Sequence, residues 1–70
     1  MVYVFFATGF EEIEALAPVD IMRRAGIEVK TVSVTGDSVV AGTHGVPVVT
    51  DMLLEDVDWN AADALVLPGG

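Results

Sequence analysis

The residues of this chain best equipped for chemistry lie in one stretch, Thr8-Gly9-Phe10-Glu11-Glu12-Ile13-Glu14. An apolar run, Val2 to Ala7, enters it and a helical pattern leaves it. It therefore reads as the turn at the C-terminal end of a first strand, where open α/β sheets gather ligands and catalytic groups. A phosphate-binding helix start wants glycines and no acids; one glycine with three glutamates argues against a nucleotide. Acids in a first helical turn complement the helix dipole. That is the expected role of Glu11 and Glu12, facing solvent or capping the helix. Glu14 is different, because Pro18 follows four residues on. Proline cannot donate to the Glu14 carbonyl and crowds it, at about 3 kcal/mol if uncompensated. Either the helix begins near Pro18, or it is distorted at Glu14. Ile13, Leu16, Ala17, Ile21 and Met22 keep helical spacing through the proline, which favours distortion. Strain of this kind clusters at functional sites. At the top of strand one, Glu14 is expected to turn into a crevice, where burial favours the uncharged carboxylic acid.

Other chemical groups carry weaker signals. Gly69-Gly70 reads as an ordinary turn, as an oxyanion site built from backbone N–H groups, or as the diglycine end of a ubiquitin-like modifier. Against the modifier, such folds open with a β-hairpin, whereas strand one here leads directly to a helix. His44 is the single histidine, in a glycine-containing loop, and has no metal partners at ligand spacing. Asp51, Glu55, Asp56 and Asp58 do not match a calcium loop and read as a solvated face. Ser33 and Ser38 sit in no nucleophile elbow. No metal and no cofactor is expected. With no cysteine, the chain holds neither a disulfide nor a thiol nucleophile.

The elements that position these groups follow from composition. Seventy residues make at most one small domain. Yet 53% are hydrophobic, and runs such as Ala64 to Leu67 lack alternation, so the strands expect cover on both faces, as in a parallel sheet. One helix cannot cover both, so the chain reads as part of a larger fold. A net charge of −8 argues against nucleic acid or an anionic membrane as partner. No run approaches the ~20 residues of a membrane span, no signal peptide is visible, and a cytoplasmic location is the expectation.

In chain order, Val2 to Ala7 is strand one and Glu11 to Ala25 is helix one, with Arg23 and Arg24 in its last turn. Gly26 and Ile27 read as its left-handed cap and hydrophobic closure. Glu28 to Val34 is strand two, completing a βαβ unit. After a turn at Thr35 to Ser38, Val39–Gly42 and Val46–Thr50 read as a small hairpin or an extended excursion, with Pro47 on an edge. Asp51 is expected to cap a helical turn over Met52 to Glu55. Asp56 to Asp63 is polar, anchored by Trp59, and Ala64 to Leu67 is the last strand. Strand order 2-1-3 would bring the Thr8–Glu14 and Pro68–Gly70 turns together across the crevice. Thr8 and Gly9 then become candidate ligand-binding positions beside Glu14, Gly69 and Gly70. Helix one should turn Pro18, Val19, Met22 and Ile21 toward a partner subunit.

The run Ala7 to Glu14, then Pro18-Val19-Asp20, then Arg23 to Ile27, resembles the start of the ThiJ/PfpI superfamily. More closely it resembles the branch named for the Parkinson-disease protein deglycase. Val66 to Gly70 is similar to that family's third motif, and Thr43 to Val46 to one of its loops. The resemblance covers the whole chain. It implies a flavodoxin-like three-layer α/β sandwich, usually homodimeric, of which residues 1–70 form the N-terminal portion of one domain. It implies a cysteine nucleophile on a sharp turn that this chain does not contain. Glu14 would be hydrogen-bonded to that cysteine as a protonated acid, Gly69 and Gly70 would lie on the oxyanion side, and His44 would lie near the partner subunit's site. The implied activity is that of a glyoxalase or deglycase on small reactive carbonyls. The alternative is a redox-responsive chaperone. Thiazole monophosphate biosynthesis and intracellular proteolysis are older family labels that also fit.

Overall fold

The computed structural model describes residues 1–70. The elements are β1 (Val2–Phe6), α1 (Glu12–Arg24), β2 (Val29–Ser33), β3 (Val39–Ala41), β4 (Pro47–Val49), β5 (Met52–Leu53) and β6 (Ala64–Val66). Short 3₁₀ turns cover Leu54–Asp56 and Trp59–Ala61. β5, β2, β1 and β6 form a parallel sheet in that order, and β3 and β4 pair antiparallel as a separate ribbon. The expected order 2-1-3 is met by β2, β1 and β6, with β5 added outside β2. In register, Val2 lies between Val29 and Ala64, and Val4 between Thr31 and Val66. The two-residue strand β5 was not legible as a strand. Asp51 does not cap a helix there; its Oδ2 accepts from Thr31 N at 2.8 Å, Thr31 Oγ1 at 3.0 Å and Arg23 Nη2 at 2.8 Å. These bonds hold the carboxyl below the usual range against the opposing effect of burial. They also lay the chain alongside β2.

The pleat of β1 sends alternate side chains to opposite faces. Val4 and Phe6 join Phe10, Ala15, Val19, Val29 and Val40 in one core, under α1 and the ribbon. Tyr3 and Phe5 join Val32 and Val57 on the other face. The segment after β5 supplies that second cover, which the sequence reading had not assigned. Trp59 contributes by stacking on Phe5, with centroids 5.9 Å apart, and remains half exposed.

α1 starts and stops as its residues dictate. Glu11 is the N-cap, its Oε1 accepting from Ile13 N at 2.9 Å. At the other end Gly26 has φ 78°. Gly26 N donates to Arg23 O and Ile27 N to Met22 O, at 3.1 and 2.9 Å. This is the Schellman arrangement, and it needs the left-handed residue that glycine supplies. Pro18 lies inside the helix, which runs unbroken through Glu14. The helix therefore does not begin near Pro18, and the proline leaves the Glu14 carbonyl without its intrahelical donor. The outward face differs from the expectation. Val19 is buried in the core and Met22 packs against it, whereas Ile13 and Ile21 are 76% and 64% exposed. With Ala17, also exposed, these make an outward stripe at four-residue spacing. No helix is long and apolar enough to cross a membrane.

Candidate active site

The two turns meet across the crevice as strand order requires. An open cleft of about 300 Å³ is lined by Phe5, Ala7, Thr8, Gly9, Phe10, Val34 and the run Leu67 to Gly70. That volume sits at the low end for small-molecule sites. The turns are tied directly: Glu11 N donates to Gly69 O at 2.7 Å. They also approach as only glycines can, since a Cβ on Gly70 would lie 2.6 Å from Gly9 O. Gly9 itself has φ 85°. The Gly69 and Gly70 amides donate to no other group of this chain, which leaves both N–H groups available to an anion.

Glu14 was expected to turn into the crevice; in this chain it is exposed and does not line the cleft. A Cβ on Gly69 would lie 2.8 Å from Glu14 Oε1, so the carboxyl rests against the Gly69 backbone. Thr8, Gly9, Gly69 and Gly70 line the cleft together, and Glu14 lies beside Gly69 outside that lining. His44 does not reach the cleft.

His44 instead joins a residue the sequence reading assigned to solvent. Glu12 is buried, and its carboxylate faces the loop between β3 and β4. Its Oε2 accepts from His44 N at 2.8 Å and Val46 N at 3.4 Å, and its Oε1 lies 2.9 Å from His44 Nδ1. Burial pushes the carboxyl up. The hydrogen bonds from the His44 ring and from backbone amides, those of His44 and Val46 among them, outweigh this and lower it to about 2. The Glu12 bond and charge in turn raise His44 above its ordinary value. Glu12 is thus neither a solvent-facing acid nor the helix cap, which is Glu11. The donors that define it lie 32 and 34 residues away, and two of them are backbone amides that no residue type announces. The one available signal was Gly42. A Cβ there would lie 2.5 Å from Glu12 Cδ.

Ligand atoms of Glu11, Glu12 and His44 all lie within 4.8 Å of one another, a grouping able to approach one cation. Sequence spacing had suggested no such cluster. Glu11 Oε1 and both Glu12 oxygens already accept from N–H groups or the imidazole. The positive end of α1, which disfavours cations, begins here.

A parallel sheet of this order, with its glutamate and diglycine turns at one crevice, defines a flavodoxin-like α/β site. The chain belongs to the DJ-1/PfpI family, whose profile matches residues 1–70. It is 39% identical over 69 residues to protein DJ-1 homolog A of Arabidopsis thaliana, covering 99% of this chain and 18% of that protein. It is 41% identical over 68 residues to the Parkinson disease protein 7 homolog of Danio rerio, covering 96% of this chain and 36% of that protein. Among solved structures, oxidized Toxoplasma gondii DJ-1 superposes with a TM-score of 0.93 at 40% identity, covering 99% of this chain and 38% of that one. A cysteine-to-alanine mutant of a Salmonella typhimurium DJ-1 superfamily protein gives 0.93 at 42%, covering 99% and 37%. The chain thus spans well under half the length of these relatives. Membership and the parallel pairing of β1 with β2 set aside the modifier reading of Gly69-Gly70, which requires an opening hairpin.

Proposed function

We propose that this chain supplies half of a cysteine-dependent active site that converts small reactive carbonyls such as methylglyoxal, as a glyoxalase or deglycase. The thiolate comes from the remainder of the same fold, outside these residues. It adds to the aldehyde carbon; a C–S bond forms, and the carbonyl π pair moves to oxygen. The developing oxyanion lies toward the Gly69 and Gly70 amides. The acid form of Glu14 delivers a proton to it, giving a hemithioacetal, and the resulting carboxylate is then placed to take a proton back. Thr8 and Gly9 bound the substrate on the opposite side. The observation that carries this reading is the contact of the Glu14 carboxyl with the Gly69 backbone, on turns already joined by Glu11 N and Gly69 O. A homodimer through helix 11–25 and a cytoplasmic location belong to the same proposal.

A second reading, an oxidant-responsive chaperone without turnover, is favoured by one observation: the Toxoplasma gondii relative was solved oxidized. The two are separated by assaying the full-length protein with methylglyoxal and, in parallel, with an aggregating client before and after peroxide. Steady turnover supports the enzyme. Client protection that appears only after peroxide, with no turnover, replaces it with the chaperone.

A further inference from the structure

We propose that Glu12, which does not line the cleft, is the positioning residue for Glu14, acting as an ionised clasp that fixes the first turn of α1 between two other parts of the fold. The inference rests on the reading of Glu14 as the proton-transfer group. Glu12 is only 8% exposed, and α1 does not need it as a cap, because Glu11 already accepts from Ile13 N. Its carboxylate is spent on the ribbon loop, through the His44 and Val46 amides. Two backbone bonds run the same way: Thr43 N to Phe10 O at 2.8 Å, and Gly9 N to Ala41 O at 2.9 Å. On its other side the same short segment is held by Glu11 N to Gly69 O at 2.7 Å. Residues 9–12 are therefore gripped from the β3–β4 loop and from the turn after β6. Glu14, two residues further along the same helical turn, inherits the orientation that this grip sets. Its Oε1 rests against Gly69 only while the first turn keeps that rotation.

Gly42 shows that the clasp has a made-to-measure seat. Its φ is not in the left-handed region, so its glycine is not required by backbone conformation. What is required is space, because a Cβ would overlap the Glu12 carboxylate. The His44 ring closes the clasp from the solvent side. It is 70% exposed and bonds Glu12 Oε1, while the His44 and Val46 amides bond Oε2.

The test uses the full-length protein and the variants Gly42→Ala and Glu55→Ala. Gly42→Ala keeps every charge and displaces only the Glu12 carboxylate. It should lower kcat on methylglyoxal by between about ten- and a hundredfold, the scale of a misplaced catalytic group. KM should be unchanged, because only proton transfer is affected. It should also shift the NMR resonances of the Glu14 side chain, while Glu55→Ala, an exposed acid outside both the clasp and the cleft, leaves kcat within about twofold of wild type. If Gly42→Ala does not fold, Glu12→Asp, one methylene too short to reach both amides, is expected to give the same pattern. Unaltered kcat and Glu14 side-chain resonances in the folded variant, or a loss no greater than its unfolded fraction, would overturn the proposal. If the wild type does not turn over methylglyoxal, the proposed activity fails, and the Glu14 side-chain resonances alone still decide whether Glu12 positions it.

Discussion

Glu12 stays ionised while buried because its hydrogen-bond donors converge on one carboxylate, and charge-assisted bonds of this kind offset the desolvation that burial costs. The consequence is a pH dependence with two limbs. Glu12 is lowered from 4.5 to about 2. Its contribution to stability is fully present above about pH 4.5 and is lost as pH falls through about 2. His44 is raised above 6.5 by Glu12, with a smaller push from the charge of Glu11. Its contribution is fully present below pH 6.5 and is lost as pH rises through the raised value. The pair therefore stabilises most between about pH 4.5 and 6.5. Thermal midpoints of full-length wild type and His44→Ala, measured from pH 4 to 9, should differ most below 6.5 and converge at the alkaline end. A difference independent of pH would show that the ring contributes by packing and not by charge. The sequence could not separate Glu12 from Glu11. Both are first-turn acids of equal helix propensity, and what distinguishes them is a loop more than thirty residues distant whose donors are backbone groups.

At the scale of elements, α1 was legible in its extent and not in its rotation. Its length, its arginines in the last turn and its Gly26-Ile27 closure all follow from local rules that act within one turn. Which apolar residues face inward depends on where β1 and the ribbon lie, and the helix carries apolar residues on both sides. Val19 went to the core, leaving Ile13, Ala17 and Ile21 outside. The unbroken helix across Pro18 has a related cause. Once the helix is packed on the sheet, one missing hydrogen bond does not end it. β5 escaped because two residues carry no periodicity; Asp51, read as a cap, instead binds across to Thr31. If α1 forms the dimer contact, the exposed stripe and not Val19 is what the partner meets. Ile21→Glu in the full-length protein should weaken self-association at least about tenfold, since it places an unpaired charge in a desolvated contact. Light scattering across a dilution series reads this, and an unchanged dimer would place the interface elsewhere.

The whole molecule is organised by β1, whose alternating side chains feed both cores and whose C-terminal turn carries the site. That much could be read from the apolar run Val2 to Ala7 and the strand order, because topology alone brings the ends of β1 and β6 together. The cover over the second face could not, since it comes from the irregular segment around Val57 and Trp59. β6 is the open edge of the sheet, with Leu65 and Leu67 half or more exposed. An apolar parallel edge of this kind calls for further cover, consistent with a chain that matches 38% of the Toxoplasma gondii structure.

The central claim is that Glu14, and no neighbouring acid, transfers the proton. The most direct measurement compares Glu14→Gln with Glu11→Gln in the full-length protein. Glu11→Gln retains an amide oxygen able to accept from Ile13 N and so preserves the helix cap. The readouts are methylglyoxal turnover and the ionisation of the active-site thiol followed by its alkylation rate against pH. Glu14→Gln should reduce kcat by between about 10² and 10⁴, the usual contribution of a general acid–base, and should make the thiol harder to ionise. Glu11→Gln should do neither. Equal effects of the two substitutions, or an unaltered thiol in Glu14→Gln, would contradict the account and leave Glu14 an ordinary residue of the first helical turns.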